Sequence, residues 1–589
     1  MHKYRDKSPP APPVRVSRCP DSCGVGAAAR LVVVALLVSL TACTTAYYQR
    51  SADNETYRAI EGKTARVPGM TRDVDIQPAA SVATVDLSRF PRNQDVFAFL
   101  DAQAESELGA HIISLNDALE LAFLYSREYQ TRKESLYLEA LALTFDRYRY
   151  TPTFSFTASG DYQWDAADQF VADMEQLTGM QRVNTSESID AGTTLGSRWL
   201  LKGGGALALS LTSNFTRFLT GDVSETGGSA LFASFVQPLI RDFGPRIETE
   251  ALMQAERDLL YQLRDFTRFR KAFAVRIASQ YYSVLLNREI ARNNYSGLLA
   301  VNLNLEREQA FQAEGLRTLL QVGRLEQQSL RQDLRWTNSI TRYKRSLDNF
   351  KILIGLFADT TIILDDNELV LIEETGMTDP DIDLDQAVDL ALQTRLDLYT
   401  ELDRVQDSAR KIRLAANELR PALDFNFDVL VPGTDEDNLG ELDFENAVYT
   451  AGLGLDLPLD TKFDRNALRR TLISYDATTR SYLAAVDQAK LDIRDAWRRM
   501  DQALRSYDIN LTSVQINERR VEEAQLRAEL GLGDIQDTVD SQNDLIEART
   551  ELVSTIVEHN IAKLEFWRDI GLLYVDDSGQ WEEGVDEPQ

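Results

Sequence analysis

Few residues in this chain have the type and spacing to do chemistry, and the clearest is a cysteine. Leu40-Thr41-Ala42-Cys43 closes an apolar run, LVVVALLVSLTA (31–42), behind a leader that carries Lys3, Arg5, Lys7, Arg15, Arg18 and Arg30. The run is too short to cross a bilayer as a helix, which takes about 20 residues. A basic leader, a short apolar stretch and small residues at its end form the layout of an export signal. With cysteine at the cut the pattern has the form of a lipobox. Residues 1–42 then leave as a lipoprotein signal peptide, and the Cys43 thiol takes a diacylglycerol. An ordinary signal peptide with an incidental cysteine is the plainer reading of the same residues. Thr44 stands where an aspartate would argue for the inner membrane, so outer-membrane lipid is the expected destination.

Other chemistry is scarce. The chain has three cysteines and three histidines, and Cys19 and Cys23 depart with the leader. No disulfide or cysteine metal site is then expected. His111 precedes a helix and His559 lies in the last one, and neither belongs to a nucleophile-and-base arrangement or a histidine metal signature. A phosphate-binding glycine loop is missing as well. The expectation is a protein that is not an enzyme and needs no cofactor. Its net charge of −29 falls to about −33 without the leader, which disfavours nucleic acid as a partner.

The elements that carry these residues occur twice. ISLNDALELAFLYSREYQ (113–130) is echoed at an offset of 269 by IDLDQAVDLALQTRLDLY (382–399), and TPTFSF (151–156) by RPALDF (420–425). FVQPLI (235–240) answers LDLPLD (455–460), and IGLF (354–357) answers IGLL (570–573). The first half is longer by about 50 residues between its proline landmarks. Such a period is too long for a solenoid and marks a duplicated domain half. Ser114 with Asp117, and Asp383 with Gln386, sit where capping boxes would open a helix.

Proline is absent between Pro245 and Pro380 and between Pro458 and Pro588, and glycine is nearly so over 246–314 and 461–530. Both residues are costly inside helices, so long helices are expected over 241–315 and 460–530. Shorter ones are expected at 115–150, 318–355, 384–419 and 533–571, two laid end to end against each long one. Between helices the pattern alternates with period two. Strands are expected at about 151–164, 229–239, 422–431 and 447–459, with an apolar face such as Phe154, Phe156, Tyr162 and Trp164 opposite a polar one. A further hairpin at about 190–217 turns at KGGG (202–205) and either joins these strands or folds over their outer loops. Strands of this kind fit a membrane barrel. Four cannot close one, and an open edge is forbidden in lipid, so an oligomer is required.

In this order of elements the chain resembles the TolC-type outer-membrane factors over roughly 110–573, with a start similar to their lipoprotein members. The resemblance implies an α+β fold: a homotrimeric β-barrel in the outer membrane, continued by a long α-helical barrel in the periplasm. It implies the exit duct of a tripartite efflux or type I secretion system, coupled through a periplasmic adaptor protein to an inner-membrane pump of the RND or ABC kind. On that pattern the helix tips turn at Gly315, Gly531 and Gly533, and Asp537 and Asp540, with Asp534, ring a periplasmic aperture. Acidic rings of this sort select cations. Ordinary solvated helix charge is the bland alternative. At the first-half tip Gln321 stands where the second half has Asp537, and Arg317 or Arg324 could latch a second-half aspartate. Asp161, Asp424, Asp428 and Asp456 are candidates for lining the lumen.

The expected divisions are a lipidated extended arm (43–110), a first half (111–357), a linker (358–381), a second half (382–573) and an acidic disordered tail (574–589). The rival function is a periplasm-spanning structural lipoprotein without transport, which accounts for the long helices but not for the alternating strands.

Overall fold

The computed structural model describes residues 45–583 apart from 71–73, 77–84, 166–185, 220–224, 376, 378–379, 381, 435–440 and 531–534. The chain divides into 1–56 and 57–589. Helix α1 (Thr45–Thr64) runs from the first unit into the second. The first half then comprises β1 (His111–Ile113), α2 (Leu115–Tyr125), α3 (Arg127–Tyr148), β2 (Thr153–Asp165), β3 (Ser186–Leu200), β4 (Ala206–Phe218), β5 (Glu225–Pro238), α4 (Glu250–Ala313) and α5 (Leu319–Leu353). The linker holds β6 (Ile362–Leu364), parallel to β1, and α6 (Asn367–Thr375). The second half repeats the order with α7 (Leu384–Thr394), α8 (Leu396–Asn417), β7 (Ala422–Pro432), β8 (Val448–Asp456), α9 (Lys462–Glu529) and α10 (Ile535–Ile570). A last hairpin pairs β9 (Leu573–Val575) with β10 (Trp581–Glu583).

Several expectations change here. Residues 43–110 are not simply an extended arm, since α1 occupies 20 of them. Nor is the acidic tail wholly disordered, because Arg270, almost fully buried, donates to the Asp576 carbonyl at 2.8 Å and holds the last hairpin. The expected helices 115–150 and 384–419 each break in two, at Ser126 and Arg395, positions 269 apart. Ser114 and Asp117 do form a capping box. Asp383 accepts instead from the Asp385 amide, and Gln386 takes no part.

The breaks have a steric cause at a distance. Helix α5 ends in a left-handed glycine, Gly355, and α10 in another, Gly571. In each, the next residue's amide reaches back five residues along the helix, Leu356 to Lys351 and Leu572 to Trp567, which closes the helix as a Schellman cap. A Cβ at 355 would lie 2.2 Å from the Tyr125 carbonyl oxygen, and one at 571 would lie 3.2 Å from Thr394 Oγ1. Tyr125 and Thr394 are the residues just before the two breaks. Each returning helix therefore ends against the point at which the opening pair bends. Tyr129, just past the first break, packs its ring on Phe123, Phe266 and Phe273.

By these junctions α3 and α5 together flank α4, which has 64 residues and is about 96 Å long. Helix α4 also packs against α8 and α10, which in turn pack against the 68-residue α9. An ionic cluster joins the halves across α4 and α8. Arg257 pairs with Asp403 at 2.8 Å and with Asp407, Arg264 with Asp403 at 2.7 Å, and Arg410 with Glu250 at 2.8 Å. The Tyr261 hydroxyl donates to Asp407 at 2.6 Å. Burial alone would raise the Asp407 carboxyl, but the Tyr261 hydrogen bond and the Arg257 and Arg410 guanidiniums outweigh it and hold the group below its ordinary value.

Two predictions follow from this packing. Gly355→Ala should cost about 2 kcal/mol or more, whereas Gly323→Ala, in α5 with open space around it, should gain about 1 kcal/mol; thermal unfolding followed by helical circular dichroism reads both. Asp407→Asn should cost about 3 kcal/mol by leaving its cationic partners short of a carboxylate. The native contribution of Asp407 is complete above the unfolded value of 3.8 and is lost as pH falls through the depressed folded value. Acidifying from about pH 5 to about pH 3 should therefore destabilise the wild type more than the variant.

Candidate functional site: one face of the sheet and the helix tips

The strands form one antiparallel sheet of six in the order β2-β3-β4-β5-β7-β8. The hairpin β3–β4 is thus part of the sheet and does not fold over it. Residues opposite each other in register share a face, and each strand alternates. Asp428 lies opposite Thr450 and Ser234, and Asp424 opposite Gly454 and Pro238. Asp456 lies opposite Ala422, which has the same parity as Asp424. Ser234 leads through Ala208 and Arg198 to Thr153 on β2, an even number of residues from Asp161. All four candidate lining aspartates therefore fall on one face of the sheet. Hydroxyls, glycines, alanines and amides fill most of the rest, interrupted by Leu200, Phe218, Phe232, Val236, Leu430 and Val448.

Sequence reasoning missed two charged members of this face. Asp190 stands opposite Asp161, accepting from Thr216 at 2.5 Å and from Ser188 at 3.1 Å. Arg198 stands opposite Thr153. Threonine on both faces of β3, at 193 and 194, and small residues along it blur its alternation, so the parity is visible only through the pairing.

The opposite face is apolar and uncovered. Phe154 is 78% exposed, Leu453 69%, Leu455 62%, Phe156 55% and Leu195 52%. An uncovered apolar surface of this extent is not stable against water and marks contact with lipid or another protein. Its far end carries Tyr162 and Trp164, both exposed. Among the described residues, strands β2 and β8 each leave one edge unpaired.

At the other end of the molecule the first-half tip turns at Gly315, whose φ is +75°. The Leu316 amide closes the end of α4 on the Phe311 carbonyl at 2.9 Å. This turn carries Arg317 back onto α4, where it pairs at 2.7 Å with Glu308, itself almost fully buried. Arg317 is thereby engaged within its own half rather than with a second-half aspartate. Gln321 has a capping role that the sequence reading did not assign. Its side chain accepts from the Thr318 amide at 3.0 Å and completes a capping box for α5. Arg324 has no ion pair among the described residues. It lines a groove with Arg331 on α5 and with Gln536 and Val539 on α10.

Asp537 and Asp540 are exposed on α10, while Thr538, Val539, Ser541 and Gln542 beside them are buried. Asp540 accepts from Gln536 at 2.8 Å. The two aspartates thus face away from the protomer's own packing. Gly531, Gly533 and Asp534 lie outside the described residues, as does Cys43. Among the described residues no helix is long and apolar enough to cross a membrane.

No family model matches the chain, and no curated protein matches it by sequence. Solved structures do. The CmeC outer-membrane channel of Campylobacter jejuni is 14% identical with a TM-score of 0.57, over 80% of this chain and 87% of that one. CusC, described for conformational changes accompanying folding and transmembrane channel formation, is 11% identical with a TM-score of 0.57, over 84% and 98%. The outer-membrane protein VceC of Vibrio cholerae is 16% identical with a TM-score of 0.55, over 78% and 96%. The likeness is one of architecture along nearly the whole of each neighbour: this chain has the fold of TolC-type outer-membrane channels.

Proposed function

We propose that the chain is the outer-membrane exit duct of a tripartite efflux or type I secretion system. The observation that carries this reading is the division of the six-stranded sheet into a polar, aspartate-bearing face and an exposed apolar one. That is the arrangement of a barrel with lipid outside and water within. The unpaired edges of β2 and β8 support closure by further copies, because lipid leaves no backbone group unsatisfied. Three copies accord with the architecture of the resembled family. Exposed apolar side chains on the helical edges, Leu319, Leu330 and Leu334 on α5 and Ile509, Ile516 and Leu526 on α9, support side-by-side packing of the same copies.

In this duct Asp161, Asp424, Asp428 and Asp456 line the lumen at the barrel. Asp537 and Asp540 ring the periplasmic aperture, and Asp534 and the turns at Gly531 and Gly533 complete the tip. Arg324 is the remaining candidate for a latch, since Arg317 is held by Glu308. Transport is passive, with energy from an inner-membrane pump joined through a periplasmic adaptor at the tips. Cys43, acylated, tethers the chain to outer-membrane lipid.

Purified protein in planar bilayers should show a small, cation-preferring conductance. Asp537→Asn/Asp540→Asn should raise it several-fold and weaken the cation preference. A conductance unchanged by the pair would move the aperture away from these residues while keeping the duct. No channel at all, from protein shown to be folded and oligomeric, would favour the periplasm-spanning structural lipoprotein instead.

A further inference from the structure

We infer that the β3–β4 hairpin is a barrel-widening insert, which fits this duct to solutes of larger cross-section than the duplicated plan alone would admit. The inference rests on the proposed exit duct of three copies. Its ground is the internal repeat. Residue 153, where β2 begins, plus the offset of 269 is 422, where β7 begins. Pro238 at the end of β5 answers Pro458, just beyond β8. In the second half β7 and β8 pair directly with each other. In the first, their counterparts β2 and β5 are held apart by two further strands of 15 and 13 residues.

The insert is built as wall rather than as a lid. β3 pairs with β2 from Arg198 opposite Thr153 to Ser186 opposite Asp165, along the full length of β2. β4 is likewise in register with β5. Its two faces continue those of the sheet: Leu195, Leu209 and Leu211 extend the exposed apolar face, while Thr194, Ser210 and Thr212 lie on the aspartate face. The KGGG turn is tied to the strand-to-helix connection, with the Gly244 amide donating to the Gly203 carbonyl at 3.1 Å and Gln237 to the same carbonyl at 3.3 Å.

Four strands per copy would give a barrel of twelve in three copies, and the six observed give eighteen. With strands about 4.8 Å apart and tilted by about 40°, the backbone diameter grows from about 24 Å to about 36 Å. Apart from Asp190 and Arg198, small side chains such as Gly192, Thr194, Gly196, Ser210 and Thr212 line the middle of the insert's inner face and leave that added width open.

The test uses the full-length protein in liposomes, where no cysteine lies beyond Cys43. Single cysteines at Leu195→Cys, Leu211→Cys, Thr194→Cys and Thr212→Cys carry a bimane fluorophore, and brominated phosphatidylcholine serves as the quencher. The barrel is also viewed end-on by electron cryomicroscopy. The expected result is about twofold or greater quenching at 195 and 211 but not at 194 and 212, together with eighteen strands. A twelve-stranded barrel with all four positions unquenched would overturn the insert while leaving the duct in place. Alternating quenching in a barrel built from some other number of copies would overturn the eighteen-stranded width and count against the copy number in the proposed function.

Discussion

Each half of this chain rests on a steric condition at one backbone junction. Where the returning helix ends, its chain must pass so close to the break in the opening helices that no side chain fits at residue 355, 2.2 Å from the Tyr125 carbonyl. Glycine satisfies the contact and the left-handed backbone together. Once it is met, two short helices run on from one another and cover α4 along most of its length. The second half has a looser form of the contact at Gly571, where a Cβ would lie 3.2 Å from the Thr394 hydroxyl, which itself donates to the carbonyl of Ile570, and there the left-handed backbone is the stronger demand for glycine. Without this end-to-end fit, a helix of 64 residues would leave part of its apolar stripe in water.

The long helices and the alternating strands are legible in the sequence because their signals accumulate over many residues. Proline is missing from both long stretches and glycine from all of 461–530 and all but Gly297 of 246–314, and period two is sustained along strands such as Phe154 to Trp164. The breaks at Ser126 and Arg395 are not legible, since neither proline nor glycine marks them. Their cause lies more than 170 residues away, at Gly355 and Gly571. The helix in the N-terminal arm escaped because it is polar along most of its length, with only Ala59 and Ile60 buried among its apolar side chains, and the last hairpin because its anchor, Arg270, is about 300 residues upstream. At the tips, Arg317 is by sequence a candidate latch, and Gln321 marks where the first half lacks the second half's aspartate. Their side chains instead serve the local turn and cap. For Asp537 and Asp540, spacing places them on one helical face and the structure leaves them uncovered.

The two halves share a plan but not a chemistry. The first-half tip carries arginines and a buried ion pair, and the second carries exposed aspartates. Between them the Arg257, Asp403, Asp407 and Arg410 cluster ties α4 to α8. In a chain with so large an excess of acid, several of the least exposed arginines, Arg257, Arg264, Arg270 and Arg288 among them, sit where segments distant in sequence meet. Charge here does structural work inside the helical layer, while the acidic excess is left for solvent and for the polar face of the sheet.

The unequal division of the sheet, four strands from one half and two from the other, also sets the two halves' neighbourhoods apart. By position β2 and β5 correspond to β7 and β8, yet β7 and β8 pair with each other while β2 pairs with β3 and β5 with β4. Equivalent positions in the two sets of strands therefore do not share neighbours, and a substitution in one meets surroundings that its counterpart lacks. The glycine junctions are where the shared plan is still written twice.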